Sequence, residues 1–79
     1  MKIRLFATLR DRAGRSDIDV DLPNAATVAD LRAAIGAAFP QLAPLAARSV
    51  VAVNHEFAFD GDSIRPTDEV ALFPPVSGG

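Results

Sequence analysis

The chain has 79 residues, 49% of them hydrophobic and 23% charged, with a formal net charge of −2. That suffices for one small globular domain and is too apolar for a disordered chain, while the mild acidic excess argues against a nucleic-acid module, which carries a basic stripe. Cysteine is absent, which excludes disulfides, thiolate metal sites and any side-chain thiol or persulfide nucleophile.

No apolar run approaches a membrane span, and the first residues alternate like a strand, not like a signal peptide. The expectation is a soluble, cytoplasmic protein with neither membrane nor nucleic-acid partners. In "KIRLFATL", Ile3, Leu5, Ala7 and Leu9 share one face and Lys2, Arg4, Phe6 and Thr8 the other, which predicts a half-buried strand. "RDRAGR" reads as the following turn, with Gly14 available for a positive φ. "SDIDVDL" predicts a second strand with Ile18, Val20 and Leu22 inward and Asp17, Asp19 and Asp21 outward, the two forming an antiparallel hairpin.

Pro23 and Asn24 break the pattern. Thr27 is a favourable helix N-cap and Asp30 suits the first turn, while Val28, Leu31, Ile35, Ala38 and Phe39 recur at helical spacing until Pro40. "QLAPLAAR" predicts a short helical turn or a packed loop. "SVVAV" fits a strand covered on both faces, Asn54–His55 a tight turn, "EFAF" a short strand, "DGDSIRPTDE" a loop and "EVALF" a closing strand.

The order predicts an α+β domain, a mixed sheet of four to five strands with one main helix packed on one face. Size and order suit a β-grasp, the ubiquitin-like fold, with the first and last strands side by side at the centre. The domain spans 1–73, and 74–79 form an extended tail.

Catalytic constellations are missing from this pattern. His55 is the sole histidine and reads as a solvated turn residue, with no second histidine for a metal site. Asp60, Asp62 and Asp68 lack the ligand series of a calcium loop and are expected to cap local backbone amides. Hence neither a metal nor a bound cofactor is expected.

Two features remain. Phe6 and Phe73 fall on the strand faces that should be polar, and central first and last strands would bring them to one uncovered sheet face. Phe57 or Phe59 extends that group into a partner-binding patch. The second feature is the tail, Pro74, Pro75, Val76, Ser77, Gly78 and Gly79. Two closing glycines arise by chance in roughly one chain in two hundred. The prolines forbid further sheet pairing and favour an extended course, and six residues reach about 20 Å. A stiff base with a thin tip suits threading into a narrow site on another protein.

"KIRLFATLRDRAG", "TVADLRAAI", "VAVNHEFA" and "PTDEVALFPPVSGG" together resemble the small subunit of molybdopterin synthase, a ubiquitin-like sulfur carrier. The F-P-P-V-S-G-G end after D-E-V-A is the specific part, with Ser77 where threonine is common. The resemblance implies that this chain is not an enzyme in isolation. A partner adenylyltransferase would use ATP to activate the Gly79 carboxylate, and a sulfur donor would then leave a thiocarboxylate. That sulfur would enter the dithiolene of molybdopterin, made from cyclic pyranopterin monophosphate on the large, catalytic subunit, in a complex of two small and two large chains. Pro74 to Gly78 would thread into the partner. The resemblance also implies docking through Phe6, Phe57 and Phe73, and so favours Phe57 over Phe59. Three other readings stand beside it: a carrier for thiazole synthesis or tRNA thiolation, a ubiquitin-like protein modifier, and a plain binding domain.

Overall fold

The computed structural model describes residues 1–75. Among these, a five-stranded mixed sheet runs in the order β2-β1-β5-β3-β4, with the helices on one side. The strands are β1 (Lys2–Leu5), β2 (Asp17–Asp19), β3 (Val50–Val53), β4 (Glu56–Ala58) and β5 (Val70–Phe73). The expected α+β, ubiquitin-like β-grasp is present, with β1 and β5 parallel at its centre and every other pair antiparallel.

The start of the chain departs from the expected pattern. The expected strand through Leu9 ends at Leu5, and α1 (Ala7–Ala13) follows where the extended residues and turn were expected. Phe6 stays extended, but Ala7 takes a φ of 52°, an uncommon left-handed value for a residue with a Cβ. That one residue swings the chain out of the sheet. Leu9 is buried as strand parity also required, and Gly14 closes α1 in the left-handed conformation at φ 73°, its N–H donating to the Arg10 carbonyl. β1 and β2 are antiparallel as expected, but joined through a helix and not a tight turn. β2 itself is shorter than its pattern; Val20 is buried beyond its end and Leu22 only packs against the core from the edge.

Helix α2 (Val28–Ala38) starts at the predicted cap. Thr27 Oγ1 accepts from the Asp30 N–H, and the Asp30 carboxylate accepts from the Thr27 N–H, a full capping box. The first two helical N–H groups donate to the Asp62 and Asp60 carbonyls. The helix N-terminus is thereby satisfied by the chain itself. Val28, Leu31 and Ile35 are fully buried, whereas Ala38 is exposed and Phe39 half-buried at the C-cap, so the inward stripe is narrower than its spacing implied.

"QLAPLAAR" resolves into a 3-10 turn (Pro40–Leu42) and α3 (Ala43–Arg48). Gly36 allows α3 to lie close: a Cβ there would stand 3.2 Å from the Ala43 Cβ. Arg32 ties these parts together. Its Nη1 donates to the Ala46 and Ser49 carbonyls at 2.7 Å each and to Ser49 Oγ, and its Nε donates to Asp60 at 2.8 Å.

The core lies between α2 and the inner sheet face, where Ile3, Leu5, Ile18, Val51, Val70 and Leu72 are almost wholly buried. Each large aliphatic stabilises the fold by about 1.5–3 kcal/mol. Replacing Arg32 by alanine takes the guanidinium from the Ser49 carbonyl, while the Ala46 carbonyl keeps the Ser49 hydroxyl as a donor at 2.9 Å. We expect about 1–2 kcal/mol of destabilisation. Urea unfolding checks this: the midpoint should fall with an unchanged slope. An unchanged midpoint would mean that water replaces the guanidinium without loss.

Candidate functional site

Strand alternation writes a second surface on the side of the sheet opposite the helices. Register places Arg4 beside Ala71, Ala71 beside Ala52, and Ala52 beside Phe57, in one row across four strands. The next row toward the end of β5 holds Phe6 and Phe73, because the Phe6 N–H continues the ladder to the Leu72 carbonyl at 3.2 Å. Their rings stack with centroids 4.6 Å apart and planes 10° from parallel, an arrangement that adds to simple area burial.

The small Ala52 and Ala71 side chains form a floor between taller neighbours, leaving a hollow of about 270 Å³. Phe6, Phe57 and Phe73 stand around it. Phe57 is 78% exposed. What makes it informative is its place beside Phe6 and Phe73 around one hollow, since a contiguous apolar patch marks an interaction surface where a lone exposed ring does not. Phe59 is equally exposed but follows the end of β4 and lies outside the hollow; its N–H turns to the Asp62 carboxylate at 2.8 Å.

Pattern reading missed three polar members of this site. Arg4 lines the hollow with its guanidinium 5.5 Å from the Phe6 ring centre, a cation–π distance. His55 and Glu69 form the opposite rim, paired at 2.8 Å between Nε2 and Oε2. The signal was available: Arg4 and Glu69 lie at even spacing from Phe6 and Phe73, so alternation puts them on the same face. His55 remains an exposed turn residue, yet its turn delivers it to the rim. Both Asn54 and His55 have positive φ (53° and 69°), the two-residue hairpin geometry that matches strand twist.

A clamp holds this rim. Asn54 donates from Nδ2 to Asp68, accepts at Oδ1 from the Glu69 N–H, and sends its own N–H to the Glu69 carbonyl. Asp68 also accepts from the Arg65 N–H. Asp62 and Asp68 thus cap local backbone amides as expected, on Phe59 and Arg65. Asp60 departs from that expectation and pairs with the Arg32 guanidinium of α2, 28 residues away. Among the described residues no three His, Asp or Glu side chains gather as a metal site, and no helix is long and apolar enough to cross a membrane.

Of the tail, Pro74 is half-buried and Pro75 exposed, both beyond the end of β5. Val76, Ser77, Gly78 and Gly79 lie outside the described residues.

The profile of the ThiS family matches residues 3–79. The chain belongs to the ThiS family. It is 32% identical over 79 residues to the molybdopterin synthase sulfur carrier subunit of Arabidopsis thaliana, covering the whole of this chain and 82% of that protein. It is 39% identical over 87 residues to small archaeal modifier protein 1 of Haloferax volcanii, covering both chains completely. The crystal structure of SAMP1 from Haloferax volcanii superposes with a TM-score of 0.83 at 38% identity, over all of this chain and 98% of that one. The resemblance read from the sequence blocks therefore holds at the level of family and fold.

In this ThiS-family domain, the clamp carries a pH signature. The Arg65 N–H first, and then the Asn54 amide, hold the Asp68 carboxyl below its ordinary value of 3.8. A depressed folded-state pKa contributes stability above the unfolded value, and that contribution is lost as pH falls through the folded value. Asp68→Asn removes the titration, so its urea midpoint should fall less steeply below pH 3.8 than that of the parent. Identical acid limbs for the two proteins would refute the assignment.

Proposed function

We propose that this chain is the sulfur-carrier small subunit of a molybdopterin synthase. The observation that carries the reading is the D-E-V-A-L-F-P-P-V-S-G-G end, residues 68–79, on a chain similar throughout its length to a molybdopterin synthase sulfur carrier. The absence of cysteine supports it too, because transferable sulfur then has only a main-chain carboxylate to ride on.

In this reading the Gly79 carboxylate is a poor electrophile until an adenylyltransferase acts. Its oxygen attacks the α-phosphate of ATP, pyrophosphate leaves, and an acyl-adenylate forms. A sulfur donor attacks the acyl carbon, AMP leaves, and a thiocarboxylate remains. On the large subunit that sulfur is transferred to cyclic pyranopterin monophosphate, and hydrolysis returns Gly79 to a carboxylate. A dithiolene needs two sulfurs, so two loaded carriers serve each product, which accords with a complex of two small and two large chains in the cytoplasm. ATP is bound by the activating partner; the carrier itself is not catalytic and holds no cofactor.

The division of surfaces supports this chemistry. The hollow bordered by Phe6, Phe57 and Phe73 offers an apolar docking face, and Pro74–Pro75 leave β5 at its border. Docking there would fix the base of the tail while Val76 to Gly79 extend into the partner.

A second reading has its own support. Similarity to small archaeal modifier protein 1 at 39% identity favours a protein modifier, with a lysine amine in place of sulfur attacking the acyl-adenylate. Intact-mass spectrometry separates the two. With activating enzyme, ATP and a sulfur donor, the carrier gains the mass difference between sulfur and oxygen; failure to gain it would sink the carrier reading. A ladder of conjugates lost on deleting Gly79 would support the modifier instead.

Two variants test the surfaces. Phe73→Asp should stay folded, since Phe73 lies outside the core cluster, but lose partner affinity by about thirtyfold or more, as for a central interface aromatic. Unfolding would show that Phe73 is structural. One residue added after Gly79 should abolish sulfur transfer, and normal transfer by that variant would contradict the mechanism.

A further inference from the structure

We propose that Arg4 is a specificity-determining residue of the docking face, paired in the complex with a carboxylate that the large synthase subunit presents. This rests on the sulfur-carrier reading above and adds to it the charge that the partner must carry.

The charges around the hollow are unequal in their commitments. Among the described residues its one lining carboxylate, Glu69, lies 2.8 Å from the His55 imidazole, which can hydrogen-bond it. Arg4 lines the same hollow but forms no ion pair among the described residues. Asp17 stands opposite Arg4 in the β1–β2 register, yet does not reach it as an ion pair. The guanidinium instead lies over the Phe6 ring, and that contact neither cancels its charge nor uses its N–H donors.

A partner seated on Phe6, Phe57 and Phe73 would strip water from Arg4 as well. Covering an unpaired cation with apolar surface is costly, whereas a carboxylate opposite it restores the lost hydrogen bonds. Stacking on Phe6, itself stacked on Phe73, holds the guanidinium within the apolar patch. A planar guanidinium fixed in this way meets a carboxylate bidentately, so it selects for position as well as for sign. Partners with a neutral or basic residue at that point are disfavoured by the same desolvation.

Titration calorimetry of the full-length chain against the large subunit from the same organism, at low and high salt, tests this. Arg4 is exposed in the free domain, so its variants should fold normally. Arg4→Met should bind about tenfold or more weakly and lose most of its salt dependence; Arg4→Lys should keep the salt dependence with part of the affinity, and Arg4→Glu should bind least. Equal affinity and equal salt response for Arg4→Met and the parent would overturn the proposal while leaving the carrier reading intact. Failure of the parent chain itself to bind, or normal binding by Phe73→Asp, would overturn the docking face and this proposal together.

Discussion

The parallel pairing of β1 with β5 is the constraint on which the rest of the molecule depends. Ile3 sits beside Val70, Arg4 beside Ala71 and Leu5 beside Leu72. On the helix side this register buries four aliphatic side chains. On the other side it sets Arg4 in the hollow and carries the ladder forward until Phe6 stacks on Phe73. A parallel pair needs a long crossover, and here everything between the first and last strands supplies it. The start of the chain and the end of its last strand therefore meet, and Pro74 leaves the sheet at the border of the aromatic patch.

The two sheet faces follow from one alternation but serve opposite energetic ends. Inner residues remove apolar surface from water when the domain folds. Phe57 does the reverse, leaving most of its ring exposed in a domain small enough for each such loss to matter. The alanines at Ala52 and Ala71 sharpen this contrast, since larger residues would fill the hollow and make the face flat. An apolar rim around a shallow floor fits a surface whose burial is completed by another protein.

What could be read from the residues depended on whether alternatives shared the same pattern. The α2 cap was legible because Thr27 and Asp30 satisfy each other at a spacing that few other structures need. Helix α1 was hidden because Leu9 meets both parities: it continues the alternation from Leu5 and also lies one helical turn before Ala13. The positive φ at Ala7, which decides between them, has no signature in an alanine. In α3, Pro44 looked like a breaker, yet it sits in the first turn, where the missing N–H has no helical partner to lose. On the outer face, Phe6 and Phe73 were visible as aromatics at polar positions. Arg4, Glu69 and the alanines were not, since charged or small residues facing outward are ordinary, and only the strand register brings them around one hollow.

In the proposed chemistry, an acyl-adenylate at Gly79 is open to any nucleophile that reaches it. Water would return the carboxylate, sulfur would give the thiocarboxylate, and an amine would give an amide. The chain supplies little that discriminates among these: it has no thiol, and a single lysine, Lys2, among eight basic residues. Arginine, the other seven, stays protonated and does not compete. Carrier and modifier can therefore share the same tail, and the outcome passes to whichever protein occupies the outer sheet face when the activated carboxylate is delivered. On this view selection acts on the docking face. The determinants that separate one pathway from another should be sought around Phe6, Phe57 and Phe73, and not in the glycines that carry the chemistry.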